Sequence, residues 1–167
     1  MKYSFGHVKP FWDRSYREFP YERQPLLDSE ITAWRQKGYT DFNKFSGCMY
    51  SSKNPMPNWI SGFENLFNLK NQTYLFYRMQ TLEIMPEHQD HYQTYIKLFS
   101  PKIDNIKRVL VFLEDWKPGH YIEVAGQGHI NWRAGDYVKW DNYVPHAAAN
   151  IGVEDRYTLQ ITGEEIA

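Results

Sequence analysis

Residues 107–140 read KRVLVFLEDWKPGHYIEVAGQGHINWRAGDYVKW, and this stretch decides the fold class. Three short runs in it, 107–113, 120–124 and 137–140, are rich in β-branched and aromatic residues, and turns that contain glycine or proline separate them. Such runs are typical of strands. No helix-length periodic segment lies between them, which argues against a parallel α/β sheet. The pattern therefore indicates a mainly β domain, built as a sandwich or a barrel.

Two strand-like runs flank this stretch. Residues 74–85 predict one long strand, and residues 156–162 predict a final strand with strict alternation. Because successive side chains of a strand point to opposite faces, Arg156, Thr158 and Gln160 share one face. Tyr157, Leu159 and Ile161 occupy the other face. We expect the polar face to point into a pocket.

The first seventy residues differ in character from the rest. Their early part is rich in aromatic residues and prolines without clear periodicity, which predicts an extended segment that wraps the core. A short helix is expected from Ser29, with Ser29 or Asp28 as its cap, and Gly38 would end it. A second helix is expected over residues 59–69, and it would bury four apolar side chains at helical spacing, namely Ile60, Phe63, Leu66 and Phe67. Both helices would buttress the sheet. We treat residues 1–167 as one domain, with 71–167 as the core.

Composition narrows the functional classes. Hydrophobic residues make up 42% of the 167 residues and aromatic residues 17%, which favours a β-rich domain with a cavity. The formal net charge is -1 and no basic stripe is present, so we expect no binding of duplex nucleic acid. The single cysteine, Cys48, excludes an internal disulfide and a cysteine-based zinc cage, and we expect it to be buried. No apolar run has transmembrane length and the first residues lack a signal-peptide core, so a soluble, cytoplasmic protein is expected.

A candidate metal site follows the first predicted strand. His88 and Asp90 are separated by one residue, which places both side chains on the same side of extended chain. His146 follows the 137–140 strand. The segment between His88 and His146 is long enough for the chain to cross a β-sandwich and return. Two imidazoles and one carboxylate on one face form the ligand set that leaves three positions open on Fe(II). Those positions would accept a bidentate 2-oxo acid and dioxygen.

A candidate anion site lies at the start of the last strand. Arg156 follows His146 closely in the sequence, on the face predicted to point into the pocket. A guanidinium binds a carboxylate through two parallel hydrogen bonds, and the Thr158 hydroxyl can add a third. We expect these two residues to hold the distal carboxylate of 2-oxoglutarate. A structural salt bridge from Arg156 to Asp136 or Glu114 is the alternative.

Several short motifs in the C-terminal half resemble the aspartyl/asparaginyl β-hydroxylase branch of the 2-oxoglutarate oxygenases. With His88 and Asp90, the matching residues are Gly126-Gln127, Trp132-Arg133-Ala134-Gly135-Asp136, Trp140-Asp141-Asn142, His146, Asn150 and Arg156-Tyr157-Thr158-Leu159. The resemblance implies a double-stranded β-helix (jelly-roll, cupin-like) core with the metal at one mouth. Aspartyl hydroxylases proper lack the acidic metal ligand, whereas this chain has Asp90, like the free-proline hydroxylases of the family. Asp90 also argues against a halogenase.

The resemblance further implies an Fe(II)- and 2-oxoglutarate-dependent dioxygenase. Such an enzyme consumes O2, converts 2-oxoglutarate to succinate and carbon dioxide, and hydroxylates a C–H bond of its substrate. A free amino acid or a peptide side chain is the expected substrate. A metal-dependent cupin that does not use 2-oxoglutarate stays open, and so does a jelly-roll binding or structural module. The sequence does not indicate an oligomeric state.

The remaining candidate residues carry weaker signals. His91 competes with Asp90 as a ligand, but it would point to the opposite side of the strand. His120 and His129 flank a turn-rich hairpin and are expected to be exposed, with a position at the mouth of the pocket as the alternative for either ring, and His7 is expected on the surface. Tyr95 and Lys97 are candidates for contact with the co-substrate, as residues close to the first metal ligand in sequence.

Overall fold

The computed structural model describes residues 3–166 as two facing antiparallel sheets with few helices. The strands are β1 (Tyr3–His7), β2 (Glu22–Arg23), β3 (Cys48–Ser51), β4 (Leu69–Met79), β5 (Glu83–His88), β6 (Ile106–Phe112), β7 (His120–Val124), β8 (Gln127–His129), β9 (Asp136–Asp141), β10 (His146–Asn150) and β11 (Arg156–Glu165). The larger sheet has the order β1-β9-β6-β11-β4-β3-β2, and the smaller has the order β5-β10-β7-β8. The prediction of a mainly β jelly-roll is confirmed.

The larger sheet separates two environments. On β11, Arg156 and Gln160 face a cavity between the sheets, whereas Leu159 and Ile161 are fully buried against the outer face. The central strand β6 alternates in the same way. Leu110 lies on the inner side, and Val109 and Val111 lie on the outer side. The alternation predicted for residues 156–162 therefore describes the two faces of the sheet.

The N-terminal segment covers the outer face of the larger sheet. Tyr16 and Phe63 are buried there against Phe76 of β4. The Trp12 indole Nε1 donates to the Leu113 carbonyl at 3.1 Å, which ties the segment to the end of β6. Wrapping is only part of its role, because it also supplies β1, β2 and β3 to the larger sheet. Cys48 is buried and free, as expected.

The predicted long strand over residues 74–85 is wrong as a single element. It is two strands, β4 and β5, which belong to different sheets. Leu82 adopts a positive φ of 66° between them, and the buried Glu83 carboxylate accepts a hydrogen bond from the Gln80 amide at 2.6 Å. A side chain thus closes this turn. The absence of glycine or proline there explains why the sequence pattern missed it.

The helices differ from the prediction in detail. Helix α1 (Asp28–Gln36) is present and Gly38 follows it with φ 100°, but the cap is Leu27 rather than Ser29 or Asp28. The Leu27 amide donates to the Glu30 carboxylate at 3.0 Å, so the acidic side chain replaces a polar cap residue. The expected helix over 59–69 is only a 3-10 turn (Asn58–Phe63) followed by strand β4.

A second α-helix, α2 (Gln93–Phe99), was not predicted. It lies between the first two candidate metal ligands and β6, and residues with positive φ flank it, Tyr92 at 50° and Ser100 at 45°. Over residues 3–166, no helix has both the length and the apolar character needed to cross a bilayer.

Candidate metal centre

His88 and His146 lie opposite each other on neighbouring strands of the smaller sheet. They are direct register partners in the β5–β10 pair, and their ring centroids are 4.3 Å apart. Asp90 follows two residues after His88, just beyond the end of β5. One ligand atom from each of the three residues lies within 4.8 Å of the other two. The folded chain therefore brings together the three residues that the sequence predicted.

Each imidazole is oriented by a backbone carbonyl two residues earlier. The Nδ1 of His88 is 2.9 Å from the Pro86 oxygen, and the Nδ1 of His146 is 2.9 Å from the Val144 oxygen. Because a carbonyl only accepts, both Nδ1 atoms carry a proton, which leaves Nε2 as the possible ligand atom of each ring. Burial lowers the pKa of His146 to about 4, so this ring is neutral near pH 7. Two imidazoles with converging Nε2 atoms suit metal ligation.

The Asp90 carboxylate is held by a residue that the sequence did not single out. Arg108 of β6 donates to Asp90 Oδ2 from Nε at 3.1 Å and from Nη2 at 3.0 Å. Burial alone would raise the pKa of Asp90, but the Arg108 guanidinium holds that pKa well below its usual range. Asp90 is therefore ionised and fixed. Arg108 is a charged residue on the inner face of a central strand, and this position is the signal that could have revealed it.

Arg156 is a buried cation without an anionic partner. Arg156 is only 4% exposed to solvent. Burial lowers the pKa of its guanidinium to about 10, so the group remains protonated at neutral pH. One Nη atom donates to the Tyr121 carbonyl at 2.8 Å, while the buried Nε has no hydrogen-bond partner. Among residues 3–166, no carboxylate lies within 4.0 Å of this guanidinium. The alternative of a structural salt bridge is thus wrong, since Asp136 pairs with His7 and Glu114 with Arg17.

The candidate ligands and Arg156 share one cavity of about 120 Å³ between the sheets. A water occupies ~30 Å³ in the liquid, so the space suits a small polar molecule. Its walls include the following residues: Gln24, Leu75, Tyr77, Met85, His88, Asp90, Arg108, Leu110, Ile122, Trp140, His146, Ala147, Ala148, Arg156 and Gln160. Thr158 does not line it, but its hydroxyl is buried without a hydrogen-bond partner on the same face as Arg156. Gln24 was also missed, because it reaches the cavity from the N-terminal segment.

A family model described as aspartyl/asparaginyl β-hydroxylase matches residues 14–165. The chain belongs to this family. The match extends through the N-terminal segment, in which the sequence motifs showed no resemblance.

Solved structures with a similar fold share little sequence with this family member. A prolyl-4-hydroxylase from Pseudomonas putida is 12% identical with a TM-score of 0.55, over 83% of this chain and 84% of that one. A cupin domain from Bordetella pertussis is 10% identical with a TM-score of 0.43, over 75% of this chain and 98% of that one. No curated protein matches the sequence. The core is a double-stranded β-helix made of two antiparallel sheets.

The other four histidines do not line the cavity that holds the candidate metal ligands. His91 is exposed in a depression beside α1, and His7 is exposed and pairs with Asp136 at 2.8 Å. The expectation of an exposed His120 is wrong, because this ring is 3% exposed and its Nε2 lies 2.9 Å from the Glu154 carbonyl. His129 is half-buried against Phe5, with ring centroids 4.4 Å apart.

Two further candidates are placed by helix α2. Tyr95 is buried in that helix, and its hydroxyl donates to the Lys70 carbonyl at 3.4 Å. Lys97 lies in the last turn of the same helix. The walls of the cavity include neither residue.

Proposed function

We propose that this protein is an Fe(II)- and 2-oxoglutarate-dependent dioxygenase that hydroxylates a C–H bond of a free amino acid or of a peptide side chain. One observation carries the proposal. Three metal-ligand side chains and a buried arginine without a carboxylate partner face the same small cavity. Membership of a hydroxylase family supports the same reaction class.

The three ligands fit ferrous iron. His88 and His146 each contribute an Nε2 nitrogen, and Asp90 contributes one negative charge. This set binds Fe(II) on one face and leaves the other positions to substrate and oxidant. When bound, the iron with 2-oxoglutarate and O2 supplies the oxidation of the C–H bond, with succinate and carbon dioxide as co-products. The chain contributes the orientation of the ligands and a small cavity between the two sheets.

Arg156 fits the distal carboxylate of 2-oxoglutarate. A buried guanidinium with an unpartnered Nε favours an anion that accepts two parallel hydrogen bonds. The unpartnered Thr158 hydroxyl, on the same face of β11, is available as a third donor. The carbonyl of Tyr121 holds the guanidinium in place from the neighbouring sheet, at 2.8 Å. A dicarboxylic co-substrate would thus satisfy buried donors that the protein itself leaves open.

The test is anaerobic titration of Fe(II)-loaded protein with 2-oxoglutarate, followed by visible absorption. We expect a weak charge-transfer band from the wild type and its loss in His146→Ala. Arg156→Met should weaken 2-oxoglutarate binding by roughly 10- to 150-fold, the equivalent of one hydrogen bond to a charged group. Arg78→Met is the matched control, because Arg78 lies on the outer face of the same sheet.

A 2-oxo acid without a distal carboxylate, such as 2-oxobutyrate, distinguishes the contribution of Arg156 to binding from that of the metal. Its binding should be almost equal in the wild type and in Arg156→Met. Succinate release over a panel of amino acids and peptides then identifies the substrate. Unchanged 2-oxoglutarate affinity in Arg156→Met would favour a cupin that does not use this co-substrate, and a folded protein that binds no iron would favour a non-enzymatic module.

A further inference from the structure

Arg108 combines deep burial with an unusual hydrogen-bond pattern. It lies on the inner face of β6 and its side chain is 12% exposed. Two of its nitrogens, Nε and Nη2, donate to the same atom, Asp90 Oδ2, at 3.1 and 3.0 Å. A guanidinium usually forms a fork with both oxygens of a carboxylate. Here the Arg108 guanidinium donates only to Oδ2 of Asp90 and makes no hydrogen bond to Oδ1.

The distances to the imidazoles do not distinguish the two Asp90 oxygens. Oδ1 is 3.9 Å from Nε2 of His88, and Oδ2 is 3.8 Å from Nε2 of His146. The hydrogen bonds do distinguish them. Oδ2 accepts twice from Arg108, and no hydrogen bond to Oδ1 is formed within residues 3–166. Only Oδ1 keeps its lone pairs free for a metal ion.

We propose that Arg108 is a positioning residue that restricts Asp90 to ligation through Oδ1 alone. This inference rests on the proposed function. A carboxylate that binds with one oxygen gives three protein ligand atoms in total, which leaves three positions on a six-coordinate ion. A carboxylate that binds with both oxygens takes a fourth position. The two positions left could not accept both oxygens of a 2-oxo acid together with O2.

Tyr92 keeps the guanidinium of Arg108 in place. The guanidinium carbon lies 5.2 Å from the centre of the Tyr92 ring, within the range of a cation–π contact. Tyr92 itself has a left-handed backbone, with φ 50°, between Asp90 and helix α2. A planar guanidinium held over a ring presents its donors in a fixed direction, and a lysine ammonium does not. Arg108 and Tyr92 together thus fix the rotation of the Asp90 carboxylate.

The test is a pair of structures of the metal-loaded protein, wild type and Arg108→Met, with Co(II) as the probe ion. We expect Co(II) to bind only Oδ1 in the wild type, with Oδ2 still on Arg108. In Arg108→Met the carboxylate should rotate and bind through both oxygens or through Oδ2. Arg78→Met serves as the control and should keep the wild-type coordination.

Visible absorption of Co(II) gives a second readout in solution, because the d–d bands report coordination number. Their shape should change in Arg108→Met but not in Arg78→Met. Succinate release should fall by roughly 10- to 100-fold, the range typical of partners of metal ligands. Arg108→Lys keeps the charge but has no planar fork, so its bands should be intermediate in shape between those of the wild type and of Arg108→Met. If Arg108→Met does not fold, Arg108→Lys replaces it in the test.

The outcomes separate this inference from the proposed function. Wild-type coordination through Oδ2 or through both oxygens would overturn the role of Arg108, as would unchanged single-oxygen binding in Arg108→Met. Either result leaves the proposed function standing. A folded wild-type protein that binds neither Co(II) nor Fe(II) would overturn both.

Discussion

Removal of the Arg108 side chain should destabilise the metal-free protein. In Arg108→Met the Asp90 carboxylate stays buried without its cation, and breaking a buried ion pair in this way costs about 3–5 kcal/mol. Because the Asp90 side chain keeps 22% exposure, we expect the lower end of that range, about 3 kcal/mol. In a domain of this length, each kcal/mol shifts Tm by roughly 2–4 °C, so the expected loss is about 6–12 °C.

A double-mutant cycle in urea measures the pair itself. Asp90→Leu alone leaves Arg108 without an anion and should cost a similar amount, whereas the double variant replaces both charges by apolar groups. The double variant should therefore lose less than the sum of the single variants, with a coupling energy of roughly 2–3 kcal/mol. A chelator keeps all four proteins free of metal. A loss below about 1 kcal/mol in Arg108→Met, or additive effects, would refute a buried and energetically significant pair.

Three further predictions concern the scaffold. Phe63→Ala should lower the free energy of unfolding by about 3–5 kcal/mol in urea, because the ring is fully buried on the outer face, and an effect below ~1 kcal/mol would contradict that packing. Glu83→Ala should cost roughly 1.5–3 kcal/mol by thermal melting, since the carboxylate accepts from Gln80 and pairs with Arg23 at 2.5 Å; an unchanged Tm would argue against the turn that it closes. Burial lowers the pKa of His120, so the unfolded chain takes up the proton first and stability should fall as pH drops below about 6.5. In His120→Gln, urea midpoints at pH 7.5 and 5.5 should differ less than in the wild type, and an equal difference would count against a neutral buried ring.

The sequence by itself determined the chemistry-bearing positions. His88, Asp90, His146 and Arg156 were found from spacing and from the period of two, and the fold brings the first three together and places Arg156 in the same cavity. These signals are local, because side-chain alternation depends only on extended backbone. The mainly β class was readable for the same reason.

Tertiary structure alone decided how the strands are distributed and which residues support the ligands. The 74–85 run divides between two sheets because the Glu83 side chain closes a turn there. No glycine or proline marks this turn in the sequence. Arg108 reaches Asp90 only because β6 lies in the sheet that faces β5. A pairing across two sheets depends on the register of several strands at once, and no local pattern in the sequence encodes it.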